Sequence, residues 1–380
     1  VKEASMKTHI IYLRPRSSFI GNITSDTLFG AFCWTIRDLY GVSELKLSEF
    51  AKSPPFILSS PFPYVRKGND IVRFFPKPRL PEITAQQMNG SVEQKLELKE
   101  KIARIENTER AKRMESAKFV SEKLFRGIVQ GQLDGKTILN RFVITGSVET
   151  DIETFFKDIL ITTAEREKID PGDPEIKSFW RDSDRQHNQI DRITWGTAEG
   201  RLFFLPEEVF LNRKKQNGEN VYAGLWFYLR TAEDRFVQPL LRYLQDTGLG
   251  SERTKGKGHF TFEIKEETNF PENNEKRNAF ISLSRYIPVP EEIDFGKKPL
   301  AYYLYVIRPK NESKLSGKDH RTFKGIIRGF EPGSVFPLPA KQAPYLGHLV
   351  QMGKNANELG WEVWHNGITL PVYAEVKDEI

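Results

Sequence analysis

Strand, helix, broken strands, strand, helix, strand is the order that residues 9–264 spell out, and few folds accept it. His9–Leu13 (HIIYL) is a run of branched and aromatic residues that reads as a first strand. From Ser25 to Tyr40, Leu28, Phe29, Phe32, Cys33, Ile36, Leu39 and Tyr40 recur on one helical face. Ser25 or Thr24 caps that helix and Gly41 stops it. Residues 54–81 hold seven prolines among short apolar pieces and read as irregular extended chain or a broken hairpin. Val221–Arg230 is a further strand, Gln238–Thr247 a short helix with Pro239 in its first turn, and His259–Ile264 the last strand.

This is the element order of a ferredoxin-like β-α-β-β-α-β domain carrying insertions, an α+β class. The polar stretch 265–278 reads as a linker, so the expected division is 1–268 and 277–380, the second part being β-rich. One insertion, about 92–125, is rich in Glu, Lys, Arg and Gln and reads as a solvated helix. Another, about 187–205, reads as a hairpin with strands at Ile190–Trp195 and Arg201–Leu205 around a Gly196–Gly200 turn. In a ferredoxin-like sheet the last strand lies antiparallel beside the first. The loop at 248–258 then meets the turn that closes the first strand, and the start of the Ser25 helix lies at the same edge.

That loop, GLGSERTKGKG, alternates Gly248, Gly250, Gly256 and Gly258 with Arg253, Lys255 and Lys257. It is longer than the connections of about 4–6 residues usual in compact domains. Glycine permits close backbone approach and the cations favour an anion. Arg14 and Arg16 and the positive end of the Ser25 helix, with Asp26 in its first turn, are expected beside it. The spacing excludes a P-loop, because Gly258 stands where the magnesium-binding hydroxyl belongs and the loop runs from helix to strand. A chain of phosphates fits better than a nucleotide cofactor, and no cofactor is expected.

The composition agrees. A net charge of +6 permits a polyanion partner. One cysteine, Cys33, leaves no disulfide framework and no cysteine-built metal site, and the six histidines lack metal-ligand spacing, as expected of a cytoplasmic protein. No apolar run is long enough to span a membrane, and no signal-peptide pattern is expected at the N-terminus.

The Gly-rich loop between second helix and last strand resembles the RAMP superfamily of CRISPR proteins. SDTLFGAFCWTIRDLYG, PPFILSSPFPY with FFPKP, HNQIDRITWGTAEGRLFF and FISLSRYIP, in that order, are similar to subunit four of the Csm complex, the type III-A effector. The equivalent subunit of the related Cmr complex stays open as the alternative. The resemblance implies two RRM-like halves that hold the 5′ handle of crRNA and dock the large polymerase-like subunit and the repeated backbone subunit, in a prokaryotic cytoplasm and in antiviral defence. It implies phosphate contacts from Gly250, Arg253, Lys255, Gly256, Lys257 and Gly258, with Arg14, Arg16, Ser25 and Asp26 beside them. It also implies a thumb formed by Asn188, Asp191, Arg192 and Trp195, inserted where handle meets guide. Nothing is carried over to the charged insertion.

The family is non-catalytic, so no enzyme is expected. The rival expectation is a metal-independent RAMP endoribonuclease, in which His259 serves as general base beside Lys255 and Lys257, with His9 as a second candidate.

Overall fold

The computed structural model describes residues 6–41, 47–80, 105, 108–109, 112–143, 151–156, 158–170, 172–173, 176–190, 193–214, 220–273, 275–310, 324–353 and 363–377. The chain opens with β1 (Lys7–Pro15), the short β2 (Phe19–Ile20) and helix α1 (Ser25–Tyr40). β3 (Phe56–Leu58), β4 (Phe62–Lys67) and β5 (Asp70–Pro76) follow, then β6 (Phe119–Ser121) and helix α2 (Glu122–Val129). Next come β7 (Phe142–Val143), β8 (Ile152–Phe155), β9 (Ile159–Thr162), the long pair β10 (Trp180–Ile190) and β11 (Thr197–Phe210), and β12 (Asn212–Lys214). β13 (Asn220–Thr231), helix α3 (Asp234–Thr247) and β14 (Phe260–Glu266) close the first part.

The main sheet runs β14-β1-β13-β4-β5-β6-β9-β8-β7, with β3 and β12 also on β13. Its first four strands are antiparallel to their neighbours, Ile11 lying between Phe227 and Ile264. The two crossovers carry α1 and α3, so this part has the element and strand order of a split β-α-β pair. Alternation decides the faces. Leu13 and Phe227 face the helices, where Phe227 meets Phe32 at 6.4 Å between ring centroids. Tyr12, Tyr64 and Trp226 face the other way, where α2 and Phe75 cover them.

Several local expectations change. The proline-rich segment forms an ordered hairpin, β4–β5, turned at Gly68 with φ +57. Its prolines sit at strand ends or in positions the ladder tolerates. Of the charged insertion, residues 112–116 are helical and mostly exposed as expected, whereas 119–125 turns inward and leads into a helix that runs to Val129. Leu124, Phe125, Ile128 and Val129 are buried, and Phe125 stacks on Phe75 at 4.2 Å. Residues 92–104 of that insertion lie outside the described residues. Helix α3 starts at Asp234, so Pro239 is inside the helix rather than in its first turn.

The C-terminal part consists of short strands: β15 (Ala279–Ser282), β16 (Leu304–Ile307), β17 (Ile327–Phe330), β18 (Val335–Pro337), β19 (Leu349–Gly353), β20 (Val363–Asn366) and β21 (Pro371–Ala374). They form the sheets β18-β15-β21, β16-β17 and β19-β20, and no helix occurs among the described residues after Lys255. One buried apolar cluster runs from Ile10 to Val376, so the hydrophobic core is continuous across the expected boundary at 268–277. Cys33 is buried in this cluster, and burial pushes its thiol pKa up, away from the reactive thiolate.

Candidate nucleic-acid interface

The Gly-rich loop and the turn after β1 are stitched together by backbone hydrogen bonds. The Leu249 amide donates to the Gly258 carbonyl at 3.0 Å and closes the neck of the loop. Ser251 N–H donates to Ile20 O at 3.0 Å, Gly258 N–H to Ser18 O at 2.9 Å, and Arg16 N–H to His259 O at 2.8 Å. The expected meeting of loop and first turn is therefore present. Within the loop, Arg253–Lys255 forms one turn of 3-10 helix, capped by the Gly256 amide on Arg253 O at 3.0 Å.

These bonds also engage the loop glycines. The Gly256 and Gly258 amides are both engaged inside the protein. At Gly258, φ is +75 and an added Cβ would lie 1.9 Å from Leu249 O, so glycine is required there for packing. Gly256, with φ +79, faces open space. Gly250 packs on Ile20 O, where a Cβ would come within 2.8 Å.

Lys257 is engaged within the chain as well. It is 8% exposed, and its Nζ lies 2.7 Å from Glu207 Oε2 and 2.9 Å from Ser18 Oγ. Ser18 Oγ also donates to Glu207 Oε2 at 2.6 Å. Burial pushes the Glu207 carboxyl up, but the bonds from Lys257 and Ser18 outweigh it and hold its pKa below the usual carboxylate range. His187 Nε2 stands 3.6 Å from Glu207 Oε1 and Arg185 3.9 Å from Oε2. The lysine thus locks the loop to the base of the β10–β11 hairpin. Sequence reasoning missed Glu207, which nothing marks within the LPEEVF run.

The remaining cations are differently placed. Arg16 is exposed at the turn. Lys255 is exposed and pairs with Glu252 at 2.5 Å, while Arg253 beside it is half-buried. Arg14 sits over the Tyr222 ring, its Cζ 4.1 Å from the centroid, and donates to Asn212 Oδ1 at 2.9 Å.

The start of α1 is not an open anion site. Ser25 is fully buried, its Oγ accepting from Arg285 N–H at 3.0 Å and its amide donating to Ser60 Oγ at 3.2 Å. Asp26 accepts from Thr24 Oγ1 at 2.5 Å and pairs with Arg285 at 3.5 Å. Arg285 reaches on to Glu331 at 3.0 Å, so the C-terminal part covers this helix end with its own charges.

The hairpin is longer than expected, and its turn lies earlier. Trp180 pairs with Phe210 at the base and Ile190 with Thr197 near the tip. Trp195 therefore sits in the turn, not in a strand; its φ is +58 and it is 84% exposed. Ile190, Ile193, Leu202, Phe203 and Phe204 are also exposed, giving the hairpin an apolar outer half. Asn188 Nδ2 donates to Thr197 Oγ1 at 3.1 Å. Asp191 and Arg192 lie outside the described residues.

The two histidines of the rival expectation lie at opposite ends of β1. His9 sits opposite Glu266 and bonds Asp234 Oδ1 at 2.8 Å, whereas His259 lies next to the Pro15–Phe260 pair. Seven strand positions separate them by about 20 Å, so the two candidates belong to different ends of the sheet. Among the described residues no group of three or more His, Cys, Asp or Glu is arranged to hold a metal, and no helix is long and apolar enough to cross a membrane.

No family model matches the sequence, and no curated protein matches it. Solved structures do. A chain of the Csm3–Csm4 subcomplex in the type III-A CRISPR-Cas interference complex aligns with TM-score 0.59 and 17% identity, over 97% of this chain and 100% of that one. A chain of the Csm1–Csm4 cassette in complex with cA4 aligns with TM-score 0.54 and 18% identity, over 98% and 100%. The same cassette in complex with pppApA gives 0.52 and 18% over the same shares. Csm4 is the subunit common to all three, and the likeness is one of fold over nearly the whole length of both chains.

Proposed function

We propose that this chain is the Csm4-like subunit of a type III-A CRISPR effector, an RNA-binding and non-catalytic member of a cytoplasmic antiviral ribonucleoprotein. The observation that carries this reading is the end-to-end likeness in fold to chains of assemblies that have Csm4 in common. On this reading the chain comprises two ferredoxin-like halves, holds the 5′ handle of crRNA, and docks a large polymerase-like subunit and a repeated backbone subunit.

On the same reading the expected residues divide into two groups. Arg16 at the turn after β1, with Arg253 and Lys255 in the loop, supplies phosphate contacts, and Trp195 at the hairpin tip supplies a stacking surface. Lys257, Gly258, Ser25 and Asp26 act from behind, as the framework that fixes the loop, the hairpin and the helix start. Asn188 stiffens the hairpin through Thr197, and Arg14 supports the edge of the main sheet.

The test is binding of a crRNA with its 5′ handle against the same RNA with the handle removed, with EDTA present throughout. Tight, handle-dependent retention of uncut RNA is expected. Equal affinity for both RNAs would overturn handle recognition. Site-specific cleavage that disappears in a His259→Ala variant would overturn the non-catalytic reading.

A further inference from the structure

Arg73 lies opposite Tyr64 in the β4–β5 register, so it shares the sheet face that points away from α1 and α3. On that face β5, the start of α2 and the helix Thr163–Ile169 border an open cavity of about 470 Å³. Small-ligand sites commonly measure about 300–1,000 Å³. Its walls are tied down from within. Arg126 Nη2 donates to Asn269 O at 2.7 Å, and Gln130 Nε2 donates to Glu272 O at 3.0 Å. Arg73 is 8% exposed and donates to Glu122 through Nε and Nη2, at 2.8 and 2.6 Å, and to Glu267 through Nη1 at 3.2 Å.

Both signs of charge are present, but they are not equally engaged. Arg73, Lys123, Arg126 and Lys168 line the cavity with Glu122 and Glu165, and Glu267 joins through Arg73. Every carboxylate oxygen of these three already accepts a hydrogen bond. Glu122 Oε1 takes Arg73 and Arg126, and its Oε2 takes Arg73. Glu165 Oε1 takes the Lys123 amide at 3.0 Å, and its Oε2 takes Ser121 Oγ and Thr162 Oγ1. Glu267 Oε1 takes the Asn269 amide at 2.8 Å, and its Oε2 takes Tyr228 Oη at 3.0 Å. Asp151, whose charge Lys123 also feels, is held through both oxygens by Arg141. By contrast, Lys123 Nζ, Lys168 Nζ and Arg126 Nη1 make no hydrogen bond or ion pair among the described residues, and both lysines are exposed. A planar carboxylate is best held by an arginine fork, and the fork of Arg126, Nε with Nη2, is taken by Glu122. Single donors from two separate helices suit an anion whose oxygens point in several directions, and lysine binds phosphate as a point charge.

We propose that this cavity is a phosphate-binding site, in which Lys123 Nζ, Lys168 Nζ and Arg126 Nη1 hold the oxygens of one phosphate group. The site is separate from the Gly-rich loop, because β13 and β4 lie between β5 and the β1 strand whose turn the loop meets. It does not depend on the RNA-binding reading above. A phosphate group is the shared chemistry of two sources, a free small molecule and an RNA strand, and the test separates them.

Three full-length proteins serve for the test: the wild type, a Lys123→Ala/Lys168→Ala cavity variant and an Arg16→Ala/Lys255→Ala loop variant. All four substituted positions are exposed. Pyrophosphate is titrated into each by calorimetry at constant ionic strength. Wild type and loop variant are expected to bind it, and the cavity variant to bind about tenfold or more weakly. Amide exchange at 122–129 and 163–169 should slow with pyrophosphate in the wild type and not in the cavity variant. A wild type that does not bind, a cavity variant with unchanged affinity, or a loss confined to the loop variant overturns the proposal. Binding of crRNA to the same proteins then names the source. Unchanged crRNA affinity in the cavity variant supports a site for a free small molecule. A fall of about tenfold, with pyrophosphate competing against crRNA in the wild type, supports a site for an RNA phosphate. If the wild type fails to recognise the handle, the RNA-binding reading falls while the pyrophosphate result stands.

Discussion

Lys257 Nζ lies 2.7 Å from Glu207 Oε2, so the Gly-rich loop and the long hairpin share one buried ion pair. The most conspicuous cation of the loop is therefore a bolt, while Lys255 beside it is exposed and Arg253 half-buried.

Lys257→Ala leaves Glu207 buried without its main counter-charge and is expected to destabilise the fold by about 3 kcal/mol. Lys255→Ala, at an exposed pair, should stay within about 0.5 kcal/mol. Urea unfolding of the two variants decides it, and equal small losses would refute the structural role of Lys257.

Gly256 and Gly258 share a left-handed backbone but differ in what surrounds them. Gly256→Ala faces open space and should cost about 1 kcal/mol from backbone strain alone. Gly258→Ala would drive a methyl group into Leu249 O and should cost more than about 3 kcal/mol. Thermal unfolding compares them, and crRNA affinity should follow stability for Gly258 only.

Arg16, Arg253 and Lys255 replaced by Ala should each reduce the slope of log affinity against log salt by about 1 for handle RNA. Trp195→Ala should leave that slope unchanged and cost about 1–3 kcal/mol of binding. A slope unmoved by the three cation substitutions would remove the loop from the interface.

His365 is 3% exposed near Lys324, Arg285 and Asp26. Burial first, and then the two cations, push its imidazole down to about 4, against the opposing pull of Asp26. The folded pKa lies below the unfolded one, so the stability it contributes is complete above about pH 6.5 and is lost as pH falls toward 4. The loss should reach up to about 3 kcal/mol. A His365→Asn variant should flatten this part of the stability profile, and an unchanged profile would count against it.

The frame of β1, α1, β13, α3 and β14 was legible because it rests on local periodicity and on stop signals such as Gly41 and Gly248. The meeting of loop and first turn followed from the strand order alone. What remained hidden depends on pairing across long stretches of chain. Glu207 meets Lys257, and Ser25 meets Arg285, through contacts that no local spacing announces. The hairpin was misplaced for a different reason: Ile193 and Trp195 look like strand residues, yet both are solvent-exposed turn residues. The start of the helix at 122–129 was read as solvated, because its short buried stripe is diluted by the charged sequence before it.

β1 pairs with β13 and β14, so Ile11 waits for Phe227 and Ile264. During synthesis the HIIYL segment emerges well before both of its neighbours and stays without these sheet partners until residues 220–266 have left the ribosome. A chain stalled or cut before residue 220 would therefore expose an unpaired apolar strand, the kind of segment that aggregates or engages chaperones. Production of this protein is expected to depend on how quickly translation reaches its fourteenth strand.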